Sequence, residues 1–131
     1  MSGPGRTHVF SGSRYEELAG YARAVVVGDR IFVSGTVGVD FATGAIPEGA
    51  EDQASQALDT IERALAEVGS GLKDVVRVRV YVPDPDDVVR VSGVLKARCG
   101  AARPANTTVC APLAVPDAKV EIGVDAIRGS G

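Results

Sequence analysis

Apolar residues along this chain fall into runs, alternations and one helical stripe, and the pattern changes from segment to segment. Ala24-Val25-Val26-Val27 is a β-branched run closed by Gly28-Asp29, and Arg30-Ile31-Phe32-Val33-Ser34-Gly35 follows at once. Two apolar runs joined by a glycine-containing pair predict a β-hairpin. Asp40 to Pro47 is rich in turn formers and reads as a loop. Within residues 50–68, Ala54, Ala57, Leu58, Ile61, Ala64, Leu65 and Val68 recur three and four apart. That period predicts one apolar stripe on a helix, which Gly69 is suited to end. Val75 to Val82 alternates instead. Val76, Val78, Val80 and Val82 are expected on one face of a strand, with Arg77, Arg79 and Tyr81 on the other.

Asp84-Pro85 has the chemistry of a helix start, a capping carboxylate before a proline in the first turn. Val88, Val91, Leu95 and Cys99 give this second helix its apolar side; Gly93 weakens its middle and Gly100 ends it. Strands are expected at Thr107–Ala111 and Ala118–Ile127, joined by a loop from Pro112 to Pro116. The order β-β-α-β-α-β-β predicts an α+β fold, one mixed sheet with both helices on one face. The open face is a candidate oligomer interface. Arg77, Arg79 and Tyr81 are then either solvated or buried against neighbouring subunits. Residues 1–131 are expected to form one domain. The Gly- and Ser-rich segment 1–13 and the tail 128–131 are expected to be flexible, with a short strand near His8-Val9-Phe10.

Composition narrows the function classes. Fourteen basic residues against seventeen acidic ones give a net charge of −3, with no basic stripe, which argues against a nucleic-acid binder. No apolar run approaches the roughly 18 residues of a membrane span, and Met1 to Ser13 lacks the apolar core of a secretory signal. A cytoplasmic protein is expected, with Cys99 and Cys110 as free thiols. His8 is the one histidine, and with two cysteines it has no recognisable metal-ligand spacing, so no metal site is expected. A nucleophilic cysteine needs a base and a lowered pKa, so Cys110 is expected to be buried and inert, and Cys99 to lie in the core.

Strand parity groups the remaining candidates. Asn106, Thr108 and Cys110 share one face of their strand. Lys119, Glu121, Gly123 and Asp125 alternate with Val120, Ile122 and Val124, whose apolar face belongs on the helices. Glu121 is expected on the same side as Asn106 if the strands pair in register.

An ordered series of short pieces resembles the Rid (reactive intermediate deaminase, YjgF-like) family. The pieces are Gly20-Tyr21, Val33-Ser34-Gly35, Gly44-Ala45-Ile46-Pro47, the helix ending Glu67-Val68-Gly69-Ser70-Gly71-Leu72, Val75 to Val82 leading into Asp84, Arg103-Pro104-Ala105-Asn106-Thr107-Thr108-Val109, and Lys119-Val120-Glu121-Ile122. They span residues 18–127. The resemblance implies a chorismate-mutase-like fold, a homotrimer whose sheets form a central barrel, and ligand clefts between subunits. It implies cofactor-free hydrolysis of imines and enamines such as 2-aminoacrylate to a ketoacid and ammonia. Tyr21, Ser34-Gly35 and Glu121 match the family's cleft residues, strand parity adds Asn106, Thr108 and Cys110 to the expected substrate-binding cleft, and Glu121 is its base or water-orienting group.

Asn106 stands where the family's deaminases place a substrate-binding arginine, which marks a divergent member. Arginine grips a carboxylate with two charge-assisted bonds, while asparagine is uncharged and shorter. Leaving a desolvated carboxylate without its cation costs about 2–5 kcal/mol, or roughly 30-fold to several thousand-fold in affinity. The expected substrate is therefore an imine, enamine or related carbonyl compound other than a free 2-imino acid. The alternative is a non-catalytic trimer that binds a metabolite or a protein. A ribonuclease reading is disfavoured by the acidic balance. Arg103 is discounted as a substitute because its odd spacing from Asn106 predicts the opposite face.

Overall fold

The computed structural model describes residues 5–131, and six strands in it form one sheet. They are β1 (Arg6–Val9), β2 (Ala24–Val27), β3 (Arg30–Val37), β4 (Val75–Val82), β5 (Ala105–Cys110) and β6 (Glu121–Ile127), in spatial order β1-β2-β3-β6-β4-β5. β4 and β5 pair parallel and every other pair is antiparallel, so the sheet is mixed. The predicted hairpin is present, with Val27 opposite Arg30 across the Gly28-Asp29 turn. Three helices accompany the sheet: α1 (Arg14–Ala19), α2 (Ala50–Glu67) and α3 (Val88–Cys99).

The apolar stripe of α2 enters the core through Ala54, Ala57, Leu58, Ile61 and Leu65, all fully buried. α3 adds Val91, Leu95 and Cys99 to the same cluster, against Val78, Val80, Ile122 and Val124 of the central strands. Both helices thus cover one sheet face, as the element order predicts. Arg98 of α3 reaches Asp59 and Glu62 of α2 at 2.9 and 3.3 Å, which holds the two helices side by side. None of the helices among the described residues is long and apolar enough to cross a membrane.

Two expectations need correction, at Val76 and at Asp84, and both ends of the described chain make contacts that the apolar pattern does not reveal. Residues 1–4 lie outside the described residues; the short strand expected near His8-Val9-Phe10 is present as the edge strand Arg6–Val9, and Ser13 caps α1, an element the apolar pattern does not reveal. Val76 is exposed, not buried, because β4 carries a bulge between Val75 and Arg77 that resets its alternation. Asp84 does cap, accepting from the Asp86 amide at 2.9 Å, yet the turn it opens is 3-10 and α3 proper starts at Val88. The C-terminal tail is tied down: Arg128 donates to the carbonyls of Val68 and Gly28, and the Gly129 and Gly131 amides donate to Asp74.

Asp74 is buried, and the Ser70 hydroxyl together with the Gly131 and Gly129 amides lowers its pKa to about 2. A depressed folded-state pKa stabilises the fold above the ordinary carboxylate range and loses that contribution as pH falls toward the folded value. Asp74→Asn should cost about 1–3 kcal/mol near neutral pH. Urea melts of the two proteins should converge between pH 4 and 2. A constant difference across that window would remove Asp74 as the anchor of the tail.

Candidate functional site

The local sequence around α1 builds the floor of the site. Ser13 accepts from the Tyr15 amide at the helix start. Gly20, with φ 74°, ends the helix in the left-handed region and turns the chain into Tyr21. This short helix faces Glu16 inward, where it meets Arg23 at 3.1 Å; the two residues are 5% and 2% exposed. The Arg23 guanidinium also donates to the Gly35 carbonyl at 2.9 Å and to the Thr36 hydroxyl at 3.1 Å. The Ser11 hydroxyl bonds the Glu16 carboxylate and receives the Arg23 Nε–H. Tyr21 and Phe41 flank the guanidinium, with ring centroids 5.7 and 5.5 Å from it. A buried charge satisfied in this way is a framework group rather than a free ligand donor.

Above this pair lies a cavity of about 710 Å³ whose wall includes Tyr21, Gly35 and Glu121. The three expected residues therefore meet in one chain. Glu121 lies across Gly35 so closely that a methyl group at position 35 would stand 2.9 Å from the Glu121 Cδ. Glycine at 35 is what gives the carboxyl its place. Burial pushes the Glu121 carboxyl above its ordinary pKa, and the positive charge of Arg23 opposes that shift. The far wall is the loop before β6. Buried Gln53 of α2 holds that loop, donating to the Pro47 and Asp117 carbonyls and accepting from the Lys119 amide at 2.7 Å.

The other expected residues lie elsewhere. The Ser34 hydroxyl donates to the Ala22 carbonyl at 2.7 Å, next to Tyr21 in sequence, and holds that segment against β3. Asn106 and Glu121 do not share a face. Tyr81 is opposite both Glu121 and Val109, whereas Asn106 is opposite Val78, on the helix-covered side. The expected shared side fails because β5 joins the sheet through β4, in parallel, and its register follows from that pairing. Asn106 instead lines a cavity of about 350 Å³ beside α3, with Lys96 and Arg103. Strand parity predicts the opposite face for Arg103, but Arg103 precedes β5 and has φ 53°, so alternation does not apply and it reaches the same cavity. Thr108 donates to the Asn106 side-chain oxygen at 2.9 Å. Cys110 is exposed on this edge strand, not buried, and Cys99 is buried. Among the described residues, no three His, Cys, Asp or Glu side chains are placed to hold a metal ion.

Arg23, Glu16 and Phe41 carry no signal in the sequence pattern. The nearest one is a charged residue between two alanines, Ala22-Arg23-Ala24, immediately before a buried strand.

Two substitutions separate the role of Glu121 from its structural cost. Its folded-state pKa is raised, so ionised Glu121 destabilises the fold at pH 7, above the ordinary carboxylate range. Glu121→Gln should therefore leave the melting temperature equal or higher. If Glu121 moves protons, this variant should lower turnover by about 10²–10⁴-fold. Gly35→Ala should displace the carboxyl and give a similar loss of turnover in a protein that melts normally. Calorimetry beside rate measurement checks both, and a large fall in melting temperature in either would contradict this geometry.

Comparison with known proteins agrees with the fold. The endoribonuclease L-PSP family model matches residues 11–128. A 2-iminobutanoate/2-iminopropanoate deaminase from Salmonella typhimurium is 31% identical over 111 residues, 82% of this chain and 87% of its own. A RutC family protein from Pyrococcus horikoshii is 30% identical, covering 92% of this chain and 96% of its own. The crystal structure of a Mycobacterium tuberculosis member of the YjgF/YER057c/UK114 family superposes with a TM-score of 0.84 at 37% identity, over 94% of this chain and 99% of that one. The chorismate-mutase-like α+β fold class is the one observed.

Proposed function

The chain belongs to the Rid (YjgF, endoribonuclease L-PSP) family, and on that premise we propose that it is a cytoplasmic, cofactor-free homotrimeric hydrolase of an imine, enamine or related carbonyl compound other than a free 2-imino acid. The observation that carries this reading is the half-buried Glu121 carboxyl, held over Gly35 beside Tyr21 in the larger cavity. Burial raises the pKa of this carboxyl, which makes it a stronger proton acceptor than an ordinary glutamate. In the proposed step Glu121 takes a proton from water as the water oxygen adds to the C=N carbon. Glu121 passes that proton to the imine nitrogen, then carries the proton of the added hydroxyl to the same nitrogen, which leaves as ammonia as the C=O bond forms. Tyr21 walls the substrate, and Ser34 positions the Tyr21 segment.

An uncharged substrate fits this cavity better than a carboxylate. Its buried cation, Arg23, is already paired with Glu16, and a second anion beside Glu121 would be repelled. Asn106 carries no charge to offset it.

The trimer reading rests on two features. The open sheet face exposes Phe32, Val109 and Ile127 around the Arg79–Asp125 ion pair. The edge strand β5 is exposed along its whole length and carries Asn106, Thr108 and Cys110, apart from Glu121. A neighbouring copy that brings its β5 to the Glu121 cavity reunites the set in an inter-subunit cleft. Asn106 also favours a second reading, a binding trimer without catalysis, recognised by ligand-dependent thermal shift without ammonia release. The net charge of −3 argues against ribonuclease activity.

Ammonia release from enzymatically generated 2-aminoacrylate should be weak or absent. A rate equal to that of an arginine-containing relative would overturn the substrate class. Asn106→Arg should raise that rate at least tenfold, because the new cation enters the neighbour's cleft. Light scattering should give about three times the 13.5 kDa chain mass; a monomer would sink the shared cleft.

A further inference from the structure

Building on the hydrolase reading above, we infer that the Glu121 cavity is shaped for a neutral imine or enamine bearing an aryl or similarly flat apolar group. The chain has only three tyrosines and three phenylalanines. Half of these six, Tyr15, Tyr21 and Phe41, line this one cavity. They arrive from separate segments: α1, the turn after Gly20, and the loop that follows β3. Val39, Ile46 and Val115 fill the wall between them, while Glu121 and Gly35 lie on the β3–β6 side. One apolar wall with a few convergent polar groups is the arrangement of a small-molecule site. A volume near 710 Å³ lies within the range of about 300–1,000 Å³ that takes drug-sized ligands, far more than a three-carbon imine needs. A neighbouring subunit over the mouth would reduce this space and leave the three rings in the wall.

The rings are held in place. The Arg23 guanidinium lies over the rings of both Tyr21 and Phe41, and Glu16 fixes it through the buried ion pair. Contact with one buried, immobile cation anchors both rings at the cavity wall. Its charge is balanced within the protein, so it places no demand for an anion on the ligand. Aromatic walls prefer flat π partners in offset or edge-to-face contact. The reaction balances without an oxidant or reductant: the aryl-bearing C=NH takes the elements of water, nitrogen leaves as ammonia, and the aryl aldehyde or ketone remains.

The test compares three imines generated in situ with the full-length protein present or absent. A flavin-dependent amine oxidase supplies phenylacetaldehyde imine from phenethylamine and propanal imine from propylamine. An amino-acid oxidase supplies the 2-imino acid of phenylalanine. The expected result is acceleration of phenylacetaldehyde imine hydrolysis at least tenfold above either of the others, equivalent to about 1.4 kcal/mol. Phe41→Ala should lower the aryl-over-alkyl ratio severalfold, whereas a purely structural loss would lower both rates together. Equal or faster hydrolysis of propanal imine overturns the aryl inference and leaves the hydrolase reading standing. If no imine is accelerated, the hydrolase reading fails, and calorimetry with phenylacetamide and propionamide decides the pocket. Tenfold tighter phenylacetamide binding supports the aryl site, and equal or absent binding overturns it.

Discussion

The buried ion pair between Arg23 and Glu16 joins the parts of this molecule that form its cavity. One guanidinium ties α1 through Glu16, the end of the N-terminal strand through Ser11, and the bulged part of β3 through Gly35 and Thr36. It also lies over the rings of Tyr21 and Phe41. Removing one partner of such a pair leaves an uncompensated charge out of water, which costs about 3–5 kcal/mol. The loss would therefore reach the helix, the loop and the cavity floor together. The same charge draws the Glu121 carboxyl back toward ionisation against its burial.

A bulge in β3 decides which side chains meet that pair, and a second in β4 decides which valines enter the core. In β3 the register shifts between Val33 and Thr36, so Thr36 turns inward to Arg23 and Gly35 comes beneath Glu121. In β4 the shift between Val75 and Arg77 exposes Val76 and keeps Val78, Val80 and Val82 in the core. A bulge re-aims the residues that follow it. The strand pattern near this site is thus less regular than simple alternation, and the irregularity is what brings carboxyl, glycine and arginine together.

Tyr21, Gly35 and Glu121 were legible as a group only through their order along the chain, which matches a family pattern, and they do line one cavity. Glu16 and Arg23 were not legible, because isolated charged residues read as surface until α1 folds back over β3. Phe41 read as part of a turn-rich loop for the same reason. The side of the sheet that Asn106 faces is not legible in the sequence. Its own parity was right, but the side on which that parity lands is set by the parallel pairing of β5 with β4. Arg103 shows a further limit, since a backbone in the left-handed region does not follow strand alternation.

The sequence by itself determined the α2 stripe, the hairpin at Gly28-Asp29, the two valine-rich central strands and hence the α+β class. These depend on contacts within a few residues, where apolar period and turn chemistry are sufficient. It also determined that position 106 holds an uncharged side chain, and with it the question of substrate charge. Only the tertiary structure decided that Asn106 and Glu121 look to opposite sides of the sheet, that the C-terminal tail is anchored on Asp74, and that a short unannounced helix delivers Glu16 to Arg23. Each of these follows from pairing between distant segments, whose register and side no local pattern encodes.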